Sequence, residues 1–573
     1  ACGFLLVPAL PTTVGAAAIV GLLALAGLVW RRDPDRRAPV AVVVPPRAAA
    51  RPIPRRRAAA LAALVGASLF VVEIVAGRTA SRMAGDGVYT WTAVLGAVLL
   101  GWTLGGAIAS RRADGPDPAG RAGVALLVAS VLCALSAWTP AVLPPLVASP
   151  GPTLPLRLAL GAVLAWTPAA AALGYAAPLI TRAALEGSPR DAGTVGLLYA
   201  CGTAGGAAAC IAVNPWLVPV LGTGGATLLV ALLLVLALPL AGRRLEAPWA
   251  VGLGAAFLAA TLPLGPARAV GARLALRDDL GAVFAADSRY GRVRVDVSPD
   301  ADALGRPRLR RLVIDGFVHG FSDPDDPAWL GYGYEGIYAA ATDRLAPASG
   351  PPPRALFVGG GGCAFPLWLA RERPGAAIDV VEIDPVVTRA AHEAMGLPDP
   401  APFTVTHEDG RTFVDRRPLD APPFDLVYAD AFDDLSVPWH LATTEFVEAL
   451  RRRMTPRGVV LWNLVDAAWS ARFLGAVVST LRQTFDHVVV LGPEVPGDAQ
   501  ETFVVVASDA PLGLEGLQAV GGSARGAPLA PVRRFSDAEI EAFVRAADGM
   551  VLRDDHAPVE ALLAPVVRRR ARR

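Results

Sequence analysis

The stretch RALFVGGGGCAFPLWLA, Arg354 to Ala370, decides the fold. It opens as a short apolar strand, passes through four glycines and enters a helical pattern in which Pro366 stands early. Gly359, Gly361 and Ala364 satisfy G-x-G-x-x-G/A directly behind the strand, with Gly360 between them. Bare backbone lets a ligand come close, and the first N–H groups of the following helix point at it. A tight strand-to-helix turn would also use glycines. Glu382 favours the pocket: it stands about 20 residues on, at the end of the next apolar run, where a carboxylate can hold ribose hydroxyls.

Outward from this stretch the same rhythm continues. Apolar strands at 354–359, 378–383, 402–406, 424–429 and 457–463 alternate with helical patterns such as TTEFVEALRRRM, Thr443 to Met454. Regular β-then-α order implies a parallel sheet with helices on both faces, and right-handed crossovers bring the strand C-termini to one ligand-binding edge. Asp409 follows the third strand, where it either faces that edge or caps the helix at GRTFV. Asp430 ends the fourth strand, and Trp439 and His440 lie in the loop beyond it. Upstream, RYGRVRVDV (289–297) and RRLVIDGFVHGF (310–321) read as a small antiparallel β unit.

The first half of the chain is of another kind. The 573 residues are 53% apolar and 18% charged, with a mean hydropathy of +0.45. Runs long enough to cross a bilayer stand at 12–30, 58–77, 88–109, 122–147, 156–180, 193–213 and 217–241, and a weaker one at 249–264. Small residues crowd them, as in YACGTAGGAAAC, Tyr199 to Cys210, which predicts a packed bundle. Arg31 to Arg57 holds nine arginines and reads as a cytoplasmic loop, with the loops near 110–121, 181–193 and 242–246 on the same side. The parity of the runs puts the soluble half outside if 249–264 spans. Supply of a nucleotide-type cofactor puts it in the cytoplasm if that run only dips into the interface, and the cytoplasmic placement is the expectation here. Glu73, at membrane depth in FVVEIVAGR, is either functional or paired with Arg78 or Arg82 near the interface.

The fold class is therefore an α-helical polytopic membrane domain followed by an α/β Rossmann-like domain of the class I methyltransferase type. The division expected is 1–57 (first apolar segment and arginine-rich loop), 58–270 (transmembrane domain), 271–345 (β unit and connecting helix) and 346–573 (Rossmann domain). All 53 basic residues are arginine, which excludes a Schiff-base lysine and a P-loop lysine. Membrane-flanking arginines account for the basic balance, so no nucleic-acid partner is indicated. The five cysteines show no CxxC spacing, so neither a disulfide framework nor a metal site is expected, and Cys363 has no evident partner base.

Together SRYGRVRV, VIDGFVHG, VGGGG, VVEIDP, HEDGRTF and ADAFDD…VPWHLATTEF resemble the spermidine synthase (polyamine aminopropyltransferase) family, over about Asp287 to Asn463. Bacterial proteins that fuse a multi-helix membrane region to such a domain resemble the chain further, through GLLYACGTAGGAAAC, LGGAIASRRAD and the late RDDHAPVE. The resemblance implies a bacterial cell-membrane protein that takes decarboxylated S-adenosylmethionine, or S-adenosylmethionine itself, with a polyamine or other amine and no metal. It implies Asp430 as general base, Gly359, Gly360, Gly361, Glu382, Asp384, Asp409 and Gly410 around the nucleoside, and Tyr290, Asp315, His319, Tyr334, Asp433, Trp439 and His440 toward the acceptor. Soluble relatives are usually dimers or tetramers, which leaves room for a homo-oligomer.

The departures matter as much. Where the family has an aspartate in its glycine turn, for the donor's amine, this chain has Gly362; its glutamines become Gly291 and His319. The Y-H-E signature is reduced to YGYEG, so Tyr332, Tyr334 and Glu335 compete for one role. The nucleoside half of the pocket is kept and the polyamine half rewritten. Aminopropyl transfer, methyl transfer and non-catalytic binding of a nucleoside or polyamine for transport or sensing are the readings in play.

Overall fold

The computed structural model describes residues 52–570 apart from 85–86, 114, 149–153, 187–190, 244–247, 263–264, 275, 277–278, 280, 300, 303–305, 433–436, 494–500 and 519–531. The apolar run 12–30, the arginine-rich loop up to residue 51, and Asp433 lie outside the described residues. Two compact units divide the chain, one ending at Arg277 and the other running from Asp278.

Five helical stretches of the first unit are long and apolar enough to cross a membrane: Arg55–Met83, Thr90–Arg112, Pro118–Ser136, Leu156–Ala184 and Ala192–Ala241. Helices α1 (Arg55–Ala84), α2 (Val88–Arg112), α3 (Pro118–Ser136), α5 (Leu154–Ala184), α6 (Ala192–Ala212) and α7 (Val218–Leu236) carry them, and a short α4 (Thr139–Ala148) stands between α3 and α5. Glycine lets these helices touch backbone to backbone. A Cβ on Gly66 would lie 2.0 Å from the Gly202 carbonyl oxygen, and one on Gly105 2.0 Å from that of Ala171. This is the small-residue packing expected when lipid gives no hydrophobic drive between helices. Leu99, Val131 and Leu164 point outward, an apolar surface that water would penalise. Glu73 is half-buried on α1, while Arg82 near the end of that helix reaches Thr223 Oγ1 at 3.4 Å.

Two runs depart from expectation. The 122–147 run is broken between α3 and α4, where Pro140 opens a new helix and Thr139 Oγ1 bonds back to Ser136 O at 2.8 Å. No loop separates the 193–213 and 217–241 runs near Asn214. A π-helical segment, Val213–Leu217, joins α6 to α7, and the break comes at Gly222, with φ 72° and ψ 172°. The chain reverses there. Ser130 Oγ bonds Ala231 O at 2.8 Å, while a Cβ on Gly123 would meet the Arg243 side chain and one on Gly224 the Ala137 carbonyl, so α7 runs antiparallel to α3.

The 249–264 run forms a shorter helix, α8 (Pro248–Ala260), running back along α7 and followed by α9 (Gly265–Arg273). A Cβ on Gly254 would lie 3.5 Å from Leu232, and one on Gly225 2.5 Å from Thr261 Oγ1. Its end therefore lies beside Gly224, Ala137 and Leu276, away from Arg243 and Arg121. At 13 residues α8 is shorter than the five candidate spans.

In the second unit β1 (Phe284–Asp287), β2 (Arg292–Val297), β3 (Arg310–Ile314) and β4 (Phe317–Ser322) form an antiparallel meander. After α10 (Gly333–Leu345) come β5 (Arg354–Val358), α11 (Ala364–Glu372), β6 (Ala377–Val381), α12 (Pro385–Ala394), β7 (Thr404–Thr406), α13 (Gly410–Arg416), β8 (Phe424–Ala429), α14 (Thr444–Arg451) and β9 (Met454–Asp466). The parallel order is β9-β8-β5-β6-β7. The sheet does not stop there: β10 (His487–Pro493), β11 (Glu501–Ser508) and β12 (Val532–Arg534) extend it as an antiparallel edge beyond β9. The meander shares a core with the larger sheet, Val293 and Leu312 being buried in one cluster with Ala355, Val380 and Ala391. It is one wall of the α/β unit.

Candidate active site

Register builds the site. Val358 pairs with Val381 and with Ala429, Val381 with Thr406, and Ala429 with Trp462. β5, β6, β7 and β8 thus end level while β9 runs on past them, and the residues just past those pairs, Gly359, Glu382, Asp430 and Asn463, form one row along the C-terminal edge of the parallel strands. This is the edge where open α/β sheets bind ligands. Each link is continued by backbone: Gly359 N donates to Val381 O at 2.9 Å, and Asp430 N to Val358 O at 2.8 Å.

The glycine turn is needed for closeness. Gly359 has φ 102°, and a Cβ there would lie 2.3 Å from the Asp430 carbonyl oxygen, which no side chain permits. Gly360 N and Gly361 N donate to Glu382 Oε2 at 3.0 and 3.2 Å, and Asp384 N donates to Oε1 at 2.9 Å. Burial pushes the Glu382 carboxyl up, and these three backbone donors offset part of that push. Oε2 spends both lone pairs on the two glycine donors, while Oε1 keeps one for a ligand hydroxyl. At the far end of the row Asp409 caps α13, accepting from Thr412 N at 2.9 Å, and also meets His440 Nε2 at 2.9 Å. Both alternatives posed by the sequence therefore hold at once. Burial raises the Asp409 carboxyl, but the His440 and Thr412 contacts outweigh it and leave it lowered. Gly410 is fixed by crowding, since a Cβ would lie 2.6 Å from Val358 Cγ1.

Asp430 is the buried centre. Its Oδ2 accepts from the Tyr334 hydroxyl at 2.7 Å and its Oδ1 from Asn463 Nδ2 at 2.8 Å. Burial pushes its carboxyl up to about 6, despite the lowering effect of the Asn463 and Tyr334 bonds. The competition within YGYEG is resolved. Tyr334 takes the contact, Tyr332 instead donates to Val318 O at 3.1 Å, and Glu335 accepts from Gly331 N and Tyr332 N as the cap of α10. Burial pushes Glu335 up to about 8. It pushes the Cys363 thiol up to about 12, which removes that residue as a nucleophile.

One cavity joins Gly359, Gly360, Gly361, Glu382, Asp409, Gly410, Asp430, His319, Tyr334 and His440. Four expected residues lie off its wall. Tyr290 is 51% exposed and Trp439 47%. Asp315 instead holds the meander, accepting from Arg292 N at 2.9 Å, and Asp384 caps α12 through Val386 N at 2.9 Å. Sequence reading passed over Asn463, although its place opposite Asp430 follows from the Ala429–Trp462 pairing. It also gave no role to RDDHAPVE, whose Asp554 grips Arg411 at 2.6 and 2.7 Å and accepts from Thr443 Oγ1 at 2.7 Å. Arg411 in turn donates to His440 O at 3.2 Å. The cavity wall carries Glu335, Glu382, Glu408, Asp409 and Asp430 and, among the described residues, no arginine. Among those residues no group of three His, Cys, Asp or Glu is arranged to hold a metal.

No family model matches the chain. A polyamine aminopropyltransferase of Vibrio vulnificus is 34% identical over 113 residues, 20% of this chain and 38% of that protein. Putrescine N-methyltransferase 2 of Nicotiana attenuata is 27% identical over 154 residues, 26% of this chain and 41% of that protein. The chain thus spans about two fifths of the length of these curated relatives. A solved probable spermidine synthase from Corynebacterium glutamicum overlays 48% of this chain and 96% of its own at 18% identity and a TM-score of 0.40. In sequence, part of the α/β unit is similar to the polyamine aminopropyltransferases.

Proposed function

We propose that this chain is a membrane-bound transferase that moves an aminopropyl group from decarboxylated S-adenosylmethionine to an amine acceptor, with Asp430 as general base. The observation that carries the reading is Asp430 itself: buried beside a glycine turn, oriented by two donors, and held near 6 by burial, so that it is ionised yet basic at neutral pH. In the step, the acceptor's ammonium gives a proton to Asp430. The freed lone pair forms a C–N bond at the propyl carbon, and the C–S bond breaks with its electron pair leaving on the sulfur of methylthioadenosine. Glu382 holds the ribose and Asp409 with His440 the base end. A wall that carries five acids and, among the described residues, no arginine suits a donor that carries positive charge and no carboxylate.

Methyl transfer to an amine from intact S-adenosylmethionine is the second reading. It is favoured by the missing carboxylate at Gly362 and by the likeness to a putrescine N-methyltransferase. It would use the same base and the same pocket. Placement in the lipid bilayer rests on the five long apolar helices and their outward leucines, and assembly as a homo-oligomer on the family resemblance.

The test is turnover by the full chain in detergent or nanodiscs, with either donor and a panel of mono- and diamines. Methylthioadenosine release from the decarboxylated donor, lost in Asp430→Asn, is the expected result. Release of S-adenosylhomocysteine instead would favour methyl transfer. Folded protein that turns over neither donor would sink both enzyme readings.

A further inference from the structure

Along the glycine turn each residue has a different neighbour. Gly359 abuts Asp430, and a Cβ on Gly360 would touch Glu382 at 3.2 Å. Beyond them, a Cβ on Gly361 would lie 3.9 Å from the His319 carbonyl oxygen, and one on Gly320 3.7 Å from Gly362 N. A ligand held by Glu382 and reaching past the turn therefore arrives at strand β4 and His319. Gly362 offers it no side chain. His319 lines the cavity, and its Nε2 is buried without a hydrogen-bond partner among the described residues.

A buried polar atom left unpaired costs about 1–3 kcal/mol, and folded proteins rarely keep one without a use. Burial holds the imidazole well below its ordinary value, at about 4, so the ring is neutral. A neutral ring nitrogen accepts one hydrogen bond or donates one, according to tautomer. The surrounding acids disfavour a carboxylate there and favour an N–H donor.

Building on the transferase reading above, we propose that His319 reads the amino group at the end of the donor's tail. Its Nε2 accepts a hydrogen bond where a side-chain carboxylate would otherwise form an ion pair. Recognition is then by a single directional bond rather than by charge, and it falls on the tail, not on the nucleoside.

The experiment is calorimetric binding to the full chain in nanodiscs, using methylthioadenosine, which has no tail amine, and decarboxylated S-adenosylmethionine, which has one. A third ligand, the thioether 5′-(3-aminopropylthio)adenosine, neutral at sulfur, differs from methylthioadenosine in the aminopropyl tail and not in sulfur charge. Wild type should prefer this amine-bearing thioether to methylthioadenosine about 10- to 100-fold, the worth of one hydrogen bond to a charged group. His319→Leu should abolish most of that preference while changing the methylthioadenosine Kd less than about 2-fold, and His319→Gln should restore part of it. An unchanged preference in a folded His319→Leu protein overturns the assignment, as does equal binding of methylthioadenosine and the aminopropyl thioether by wild type. Failure of wild type to bind any of the three ligands removes the nucleoside reading itself, and the role of His319 with it.

Discussion

Replacing Tyr334 with Phe removes one oxygen and leaves the ring in place, packed against Tyr332 and Tyr338 at centroid distances of 5.4 and 5.5 Å. The lost group is a hydroxyl donating to Asp430 Oδ2 at 2.7 Å. Such a bond favours the ionised carboxylate, so its loss raises the Asp430 pKa. A hydrogen bond to a charged group is worth about 1.5–3 kcal/mol, which at 1.36 kcal/mol per unit is about 1–2 pKa units. From about 6, Asp430 would move to about 7–8. At pH 7 the ionised fraction then falls from about 0.9 to between about 0.5 and 0.1, a 2- to 10-fold loss in kcat/KM that disappears above about pH 9. The assay is the pH profile of kcat/KM for the transfer reaction, which reports groups of the free enzyme. Titration of the acceptor amine affects both proteins equally and cancels in the comparison. Asp430→Asn should be about 100- to 10,000-fold slower without that acidic limb. A Tyr334→Phe protein whose limb stays in place, or whose loss is the same at every pH, would refute the reasoning.

Gly359→Ala should unfold the α/β unit or strip it of ligand binding, because the added Cβ falls 2.3 Å from a backbone oxygen at φ 102°; a thermal transition within about 1 °C of wild type would contradict the geometry. Glu335, whose carboxyl is raised from 4.5 to about 8 by burial, contributes stability that is present below about pH 4.5 and lost as pH rises through about 8. Glu335→Gln should therefore reduce the fall in melting temperature between pH 5 and pH 8, and an unchanged fall would show that the group does not titrate there. Reporter enzymes fused after residue 243 and after residue 276 should read opposite sides of the membrane, since α8 carries the chain from one end of α7 back to the other. Identical signals from the two fusions would show that α8 does not cross.

The alternation of strand and helix was legible because the central parallel strands β5, β6 and β8 are mostly apolar and the glycine turn, Glu382 and Asp430 stand at their ends, where local sequence dominates. The antiparallel edge was not. His487–Pro493 and Glu501–Ser508 are joined by the pairing of Leu491 with Val504, a long-range choice that apolar periodicity alone does not encode. Site residues divide the same way. Glu382 and Asp430 follow their strands directly and Asp409 stands three residues past its own, and the structure places all three on the cavity wall. Asn463 lies inside a 13-residue strand, and Glu335 reads as an acid of the pocket until its hydrogen bonds show that it caps a helix. In the helical unit, composition located the apolar runs but not their breaks. Gly222 looks like any other glycine in VLGTGG until a turn in the left-handed region places the reversal there.

The grip of Asp554 on Arg411 ties a late stretch of the chain to the Asp409–His440 end of the pocket across 143 residues of sequence. Thermodynamic reciprocity then applies to the two ends. Whatever His440 and Asp409 gain by holding a base must also tighten the docking of the C-terminal segment, and whatever loosens that segment must weaken the base. A nucleoside should thus slow proteolysis near residue 554, far along the chain from any atom it touches. A clip at that point should in turn act on affinity as a pocket mutation would.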